Sequence, residues 1–347
     1  MRSVSKVKGA QGVAHKRPVL VIWVLALAML VAALISLTLG RYTISVPDIA
    51  RMIAGTFAPI QQTWTNQQAS LFFNVRLPRV LLALAVGCSL SAAGASFQGI
   101  FQNPLVSPDF LGASQGAAFG ASLAILMSAS MLQTSLSAFF FSMLSVVIVL
   151  LVSRLSKGNR ILVTVLAGVM VSSLFQAGVS YIKLVADPNA QLQAITFWLM
   201  GSLTSARTED LALVALPMLV GNGGLLAIRW RLNALTMGDD EAMTMGVNAP
   251  RLRAVAIVLA TLVTASSVSV TGIIGWVGLV VPHLARGLVG ADYRHLLPAS
   301  MLLGGTFLLV VDDIARLATT AEIPIGILTA FIGAPFFLWL ITRKTRG

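Results

Sequence analysis

Charged residues, cysteine and histidine are scarce in this chain. Only 10% of its 347 residues are charged, against roughly 25% in soluble domains, which excludes an ordinary solvated globule. The single cysteine, Cys88, lies within an apolar run and leaves no partner for an intrachain disulfide. The three histidines, His15, His283 and His295, lack metal-ligand spacing, and no set of oxygen ligands suits a bare cation. No Gly-Lys dipeptide occurs, so the phosphate-cradling G-x-x-x-x-G-K-[ST] loop of ATPases is excluded. Low-complexity segments and tandem repeats are missing too.

What is there is apolar sequence. Hydrophobic residues make up 57% of the chain and the mean hydropathy is +0.88. Runs of about 20 apolar residues recur from Val19 to Ile341, each long enough to cross a hydrocarbon core of roughly 30 Å. The pattern predicts an all-α polytopic membrane protein. A transmembrane β-barrel would instead alternate in segments of about ten residues. Spans are expected near 19–39, 77–98, 114–132, 135–153, 161–184, 211–228, 254–270, 273–289, 296–317 and 324–342, about ten transmembrane helices in all.

Basic residues arrive in short clusters between these runs, as orientation signals do, and not as a nucleic-acid patch. With ten spans and the N-terminus inside, 17 of the 24 Lys and Arg fall on the cytoplasmic face; fusing 254–289 into one span erodes that asymmetry. Both termini are therefore expected in the cytoplasm, with tails at 1–18 and 343–347 flanking one transmembrane unit at 19–342. The basic stretch before Val19 looks like a signal peptide, but the apolar run exceeds an h-region of roughly 7–15 residues, so an uncleaved first helix is expected.

Two outer pieces, Arg41–Asn74 and Asp187–Ala206, are long enough for structure. Ser45-Val46-Pro47-Asp48 suits a helix start with proline in its first turn, and Ile195–Met200 suggests a second short helix. Inside, Arg229–Arg253 is the longest loop. Gly238-Asp239-Asp240-Glu241 places acids at a first helical turn, where the dipole favours them. Gly246 suits the end of that helix, and Pro250 is expected to block continuation. Two short helices around a glycine joint follow, with Ala242, Met243 and Met245 as an apolar knob. Polar residues on otherwise apolar spans, namely Gln98, Gln102, Asn103, Ser107, Ser114, Gln115, Gln176 and Ser180, either line a pathway or bond helix to helix.

Residues 76–112, RLPRVLLALAVGCSLSAAGASFQGIFQNPLVSPDFLG, join two arginines around Pro78, a helix of small residues and a proline-broken polar turn. Further on stand Phe197–Ser202, the run Gly275–Arg286 (GWVGLVVPHLAR), Leu296-Leu297-Pro298, Asp312–Arg316, Glu322–Gly326 and Gly333–Phe337. Together these resemble the FecCD/BtuC-like permease family, which moves ferric siderophores, haem and vitamin B12 across bacterial inner membranes within ABC importers. The likeness covers roughly 40–342. One departure is Gly275-Trp276, where relatives often have Gly-Pro.

The resemblance implies a type II ABC importer permease. Its partners would be a second copy of the chain or a paralogous permease, two ABC ATPases carrying ATP and Mg2+, a periplasmic or lipid-anchored binding protein, and membrane lipid. It implies no catalytic, cofactor or metal residue in this chain. Arg76, Arg79 and Arg316 would face acids of the binding protein, where opposite charge fixes register. Lipid headgroups or Asp312, Asp313 and Glu322 are their alternative partners. Gly238, Asp239, Glu241, Ala242, Met245 and Gly246 would couple to the ATPase. The expected cargo is a ferric siderophore, with haem, cobalamin or a molybdate-type oxyanion behind it. An ion-driven secondary transporter tends to carry charge near the midplane, whereas charge here sits near span ends. A membrane enzyme would need converging catalytic groups, and none cluster.

Overall fold

The computed structural model describes residues 7–40, 42, 44–56, 58, 61–156 and 160–344. Expectations for 1–6, Arg41, Lys157 and 345–347 lie outside them. Along the chain run α1 (Val7–Thr38), α2 (Val46–Gly55), α3 (Asn66–Leu71), α4 (Leu77–Ile100), α5 (Ala113–Leu126), α6 (Met131–Leu155), α7 (Arg160–Val185), α8 (Gln191–Met200), α9 (Thr208–Met237), α10 (Asp239–Thr244), α11 (Ala249–Thr271), α12 (Val277–Val289), α13 (Tyr293–Leu317) and α14 (Ile325–Lys344). Every expected span has its helix, and so do both outer pieces. Among the described residues seven helices are long and apolar enough to cross a membrane, while α5, α12 and α14 are shorter. Residues 7–18 of the expected N-terminal tail form the first turns of α1.

The sequence of α4 explains its central place. Nineteen of its 24 residues are buried, most of them Ala, Gly or Ser. Lipid offers no hydrophobic drive for helix association, so close van der Waals approach has to supply it. At Gly87 the helix meets the backbone of Gly304 and Gly305 on α13, and at Gly94 the backbone of Gly278 on α12.

The helices α5 and α12 have 14 and 13 residues, about 20 Å each at 1.5 Å per residue. The irregular segments 101–112 and 272–276 supply the remaining depth, and the Pro108 ring of the first lies against Gly278 beside the second. Non-helical backbone at such depth is tolerated where protein surrounds it. The departing residue Trp276 sits at φ +70° and Gly272 at φ +69°. This conformation is rare for a bulky side chain.

The expected span 254–270 is helix throughout, and in its last turns hydroxyls donate back to their own helix: Thr264 to the Ala260 carbonyl, Ser267 to Val263 and Thr271 to Ser267 at 2.7–2.9 Å. The chain breaks after it, at Gly272. One local expectation is corrected: the helix after the Gly246 joint is not short but is the start of α11. Pro250 lies within it, in the first turn, where its missing N–H costs nothing, so the cytoplasmic loop holds one short helix, α10.

Asp292 begins α13 by accepting from the Arg294 backbone N–H at 3.0 Å, and it also accepts from Asn233 Nδ2 at 2.8 Å. Partial burial pushes its carboxyl up, but the Arg294 and Asn233 hydrogen bonds prevail and hold it at about 2. A carboxylate depressed below its unfolded value of about 3.9 stabilises the fold above that pH and ceases to as pH falls toward 2. Asp292→Ala is expected to lower stability by about 1 kcal/mol and to flatten the loss between pH 4 and 2, as read by thermal unfolding in detergent across pH.

Candidate functional site

The end of the bundle where α1 and α13 finish and α4 and α14 begin holds three buried arginines. Arg79 grips Asp312 of α13 through Nε (2.9 Å) and Nη2 (2.8 Å), and reaches Glu322 before α14 through Nη2 (2.9 Å). Thr204 Oγ1 donates to the same Glu322 oxygen, Oε2 (2.8 Å). Asp312 is 1% exposed and Arg79 6%. Arg316 donates to the Ser36 carbonyl at 2.7 Å and pairs with Asp313, to which Ser36 Oγ also donates. Arg76, in the π-turn Phe72–Arg76 leading into α4, donates to the Leu37 carbonyl at 3.2 Å and to that of Tyr42.

These guanidinia are therefore occupied within the chain. Arg79 and Arg316 take the alternative partners, Asp312 with Glu322 and Asp313 respectively, whereas Arg76 is held by the Leu37 and Tyr42 carbonyls. The physical reason is desolvation: a charge this deep is tolerable only when paired or hydrogen-bonded.

The polar pathway candidates separate into three groups. Gln98 is buried, donating to the Leu279 carbonyl and accepting from Arg286, both at 3.3 Å, so it joins α4 to α12. Ser114 is buried and donates to Asp109, which also bonds Ser107. Gln115 is half-buried. Gln102 and Asn103 lie in the turn after α4: Gln102 Nε2 donates to the Leu235 carbonyl at 2.7 Å and Asn103 Oδ1 accepts from the Leu105 N–H at 2.9 Å. Only Gln176 and Ser180 stand on an open face, shared with Ser173 one turn earlier on α7.

At the basic end, α10 is anchored by Ala242, which is fully buried, while Met243 and Met245 are 56% and 61% exposed. Gly246 closes the helix at φ +75°, with Val247 N–H donating to the Ala242 carbonyl at 2.9 Å, a typical glycine-ended C-terminus. Asp239 is paired with Arg253 at 2.6 Å, a contact that dipole reasoning on the acids alone did not find. At the opposite end, a cleft of about 1030 Å³ opens among α6, α8, the end of α11 and residues 320–324, bordered by Ser202, Thr204, Thr271 and the acids Asp210 and Glu322.

A family model described as the FecCD transport family matches residues 28–343. The chain belongs to that family. The permease is 42% identical over 323 residues to the molybdate import system permease protein MolB of Haemophilus influenzae, covering 93% of this chain and 95% of that one. It is 38% identical over 340 residues to the hemin transport system permease protein HmuU of Yersinia pestis, covering 94% and 97%. It superposes with a TM-score of 0.83 and 40% identity on an ABC transporter assigned to the metal-chelate type, solved in an inward-facing conformation, covering 93% of this chain and 98% of that one. It is a multi-pass inner-membrane permease subunit of an ABC importer.

Proposed function

We propose that two copies of this permease enclose a pathway for a metal chelate of the ferric-siderophore type, with ATP hydrolysed by two separate ABC ATPase subunits and cargo delivered by a binding protein. The observation that carries this reading is α10. Six residues long, it cannot stand by itself, yet it is fixed to the bundle through buried Ala242 and presents Met243 and Met245 outward from the basic, cytoplasmic end. Such an apolar knob suits a cleft on another subunit. The open polar face of α7, Ser173, Gln176 and Ser180, supports a second copy across a shared cavity, because polar groups in spans face protein or water rather than lipid. The binding protein would meet the end that carries the cleft, through surfaces other than the buried arginines.

A molybdate-type oxyanion is the second reading, favoured by the 42% identity to MolB. Co-expression with the cognate ATPase and binding protein, purification through a tag on the permease, and vesicle uptake of ferric chelates or molybdate measured by elemental mass spectrometry test both. ATPase co-elution with ATP-dependent iron uptake is expected. Molybdenum uptake would select the second cargo. Uptake that ignores ATP and collapses with the proton gradient would replace the importer by a secondary transporter.

A further inference from the structure

The pair Asp239–Arg253 joins α10 to α11. Arg253 Nη2 meets Asp239 Oδ1 at 2.6 Å and Nη1 meets Oδ2 at 3.1 Å, while the arginine is 5% exposed and its Nε finds no hydrogen-bond partner among the described residues. Only the arginine of the pair is buried; the Asp239 side chain is 41% exposed, and an ion pair open to water on one side adds little stability. A bidentate fork does, however, fix geometry. Between the two helices only residues 245–248 intervene, closed by the Gly246 turn and by Asn248 Oδ1, which caps α11 at the Arg251 N–H (3.1 Å).

From this foot α11 runs 23 residues, about 34 Å at 1.5 Å per residue. At its far end the Thr271 carbonyl accepts from the Ser202 N–H at 2.7 Å, on the wall of the outer cleft. We infer that the Asp239–Arg253 pair is the joint that makes α10 and α11 one lever, so that displacement of α10 by a partner shifts the wall of the cleft at the other end. Arg253 is a positioning residue in this scheme. The inference rests on the ABC importer reading.

The experiment uses the full permease–ATPase complex with Cys88→Ser and an environment-sensitive fluorophore on Ser205→Cys, at the cleft. Trapping with ATP and vanadate is the probe. The label is expected to shift in the otherwise unaltered complex. In Arg253→Met the ATPase should still co-elute, and the shift should fall at least about fivefold, the lower bound of a typical coupling of roughly 5–150-fold. Arg253→Lys, which keeps the charge and loses the fork, should fall between. The swap Asp239→Arg with Arg253→Asp should recover part of the shift. A full shift in Arg253→Met, no shift in the starting complex, loss of the ATPase from Arg253→Met, or a swap no better than the single variants would each overturn the lever. Failure of the ATPase to co-elute with the unaltered chain would instead sink the importer reading itself.

Discussion

Gly94→Val is expected to give no monodisperse permease after detergent extraction, and Gly94→Ala to lose more than about 3 kcal/mol, beyond the roughly 1–3 kcal/mol usual for overpacking. A Cβ on Gly94 would overlap the Gly278 carbonyl oxygen and lie 2.5–2.6 Å from the Gly278 carbonyl carbon and Cα. The obstacle is backbone, so no rotamer change relieves it, and α12 must retreat as a unit. The seam is equally tight from the other helix, since a Cβ on Gly278 would lie 2.9 Å from both the Leu90 carbonyl oxygen of α4 and the Pro108 ring. Gly223→Ala is the control: nothing lies within 4 Å of a Cβ there, and helix propensity favours alanine by about 1 kcal/mol. Thermal unfolding followed by size-exclusion chromatography reads both. A Gly94→Ala protein that melts with Gly223→Ala would refute close backbone packing as the bond between α4 and α12.

The second large effect is expected at Arg79. Removing one member of a buried pair strands the other, at about 3–5 kcal/mol. Arg79→Met leaves Asp312, 1% exposed, without its partner, and also frees Glu322 and the loop tied to it through Thr204. Pairing Arg79→Met with Asp312→Leu removes both charges, and most of the loss should return; a double-mutant cycle on unfolding free energy measures the coupling. If the single and double variants are equally unstable, the contact matters through shape and not through charge. Charge reversal at Arg79 would unfold the outer end before it could report on docking, so a binding assay on that variant does not read a docking surface.

The helices and their order were legible in the sequence because uninterrupted apolar runs at membrane length have few other solutions, and the clustering of lysine and arginine at one end resolved the doubtful region at 254–289. The short helix α10 was legible from its acids and Gly246. What composition did not show was which polar groups would meet. Arg79 and Asp312 are 233 positions apart, and Asp239 and Arg253 sit on two different helices, so neither pairing has a local signature. Family resemblance set the three arginines toward a binding protein, yet Arg76 and Arg316 donate to carbonyls at the end of α1 and Arg79 to Asp312 and Glu322. Gln98 and Ser114 were read as pathway candidates because they are polar among apolar neighbours. Bonding one helix to another produces the same pattern, and only burial separates the two. Hydroxyl-rich sequence such as Thr264–Thr271 competes with the helix ladder in water; inside a bundle the same hydroxyls settle on carbonyls one turn back.

Arg79 and Arg316 are each matched by a carboxylate a few ångströms away, so from a distance each presents a dipole where the sequence shows a full positive charge; Arg76, bonded to neutral carbonyl oxygens, keeps its charge. Dipolar fields fade faster with separation than those of lone charges, and the salt of an ordinary buffer screens exposed charges beyond about 8–10 Å. Arg79 and Arg316 therefore add little pull on a distant partner, and what they contribute is a rim held in shape before any encounter begins.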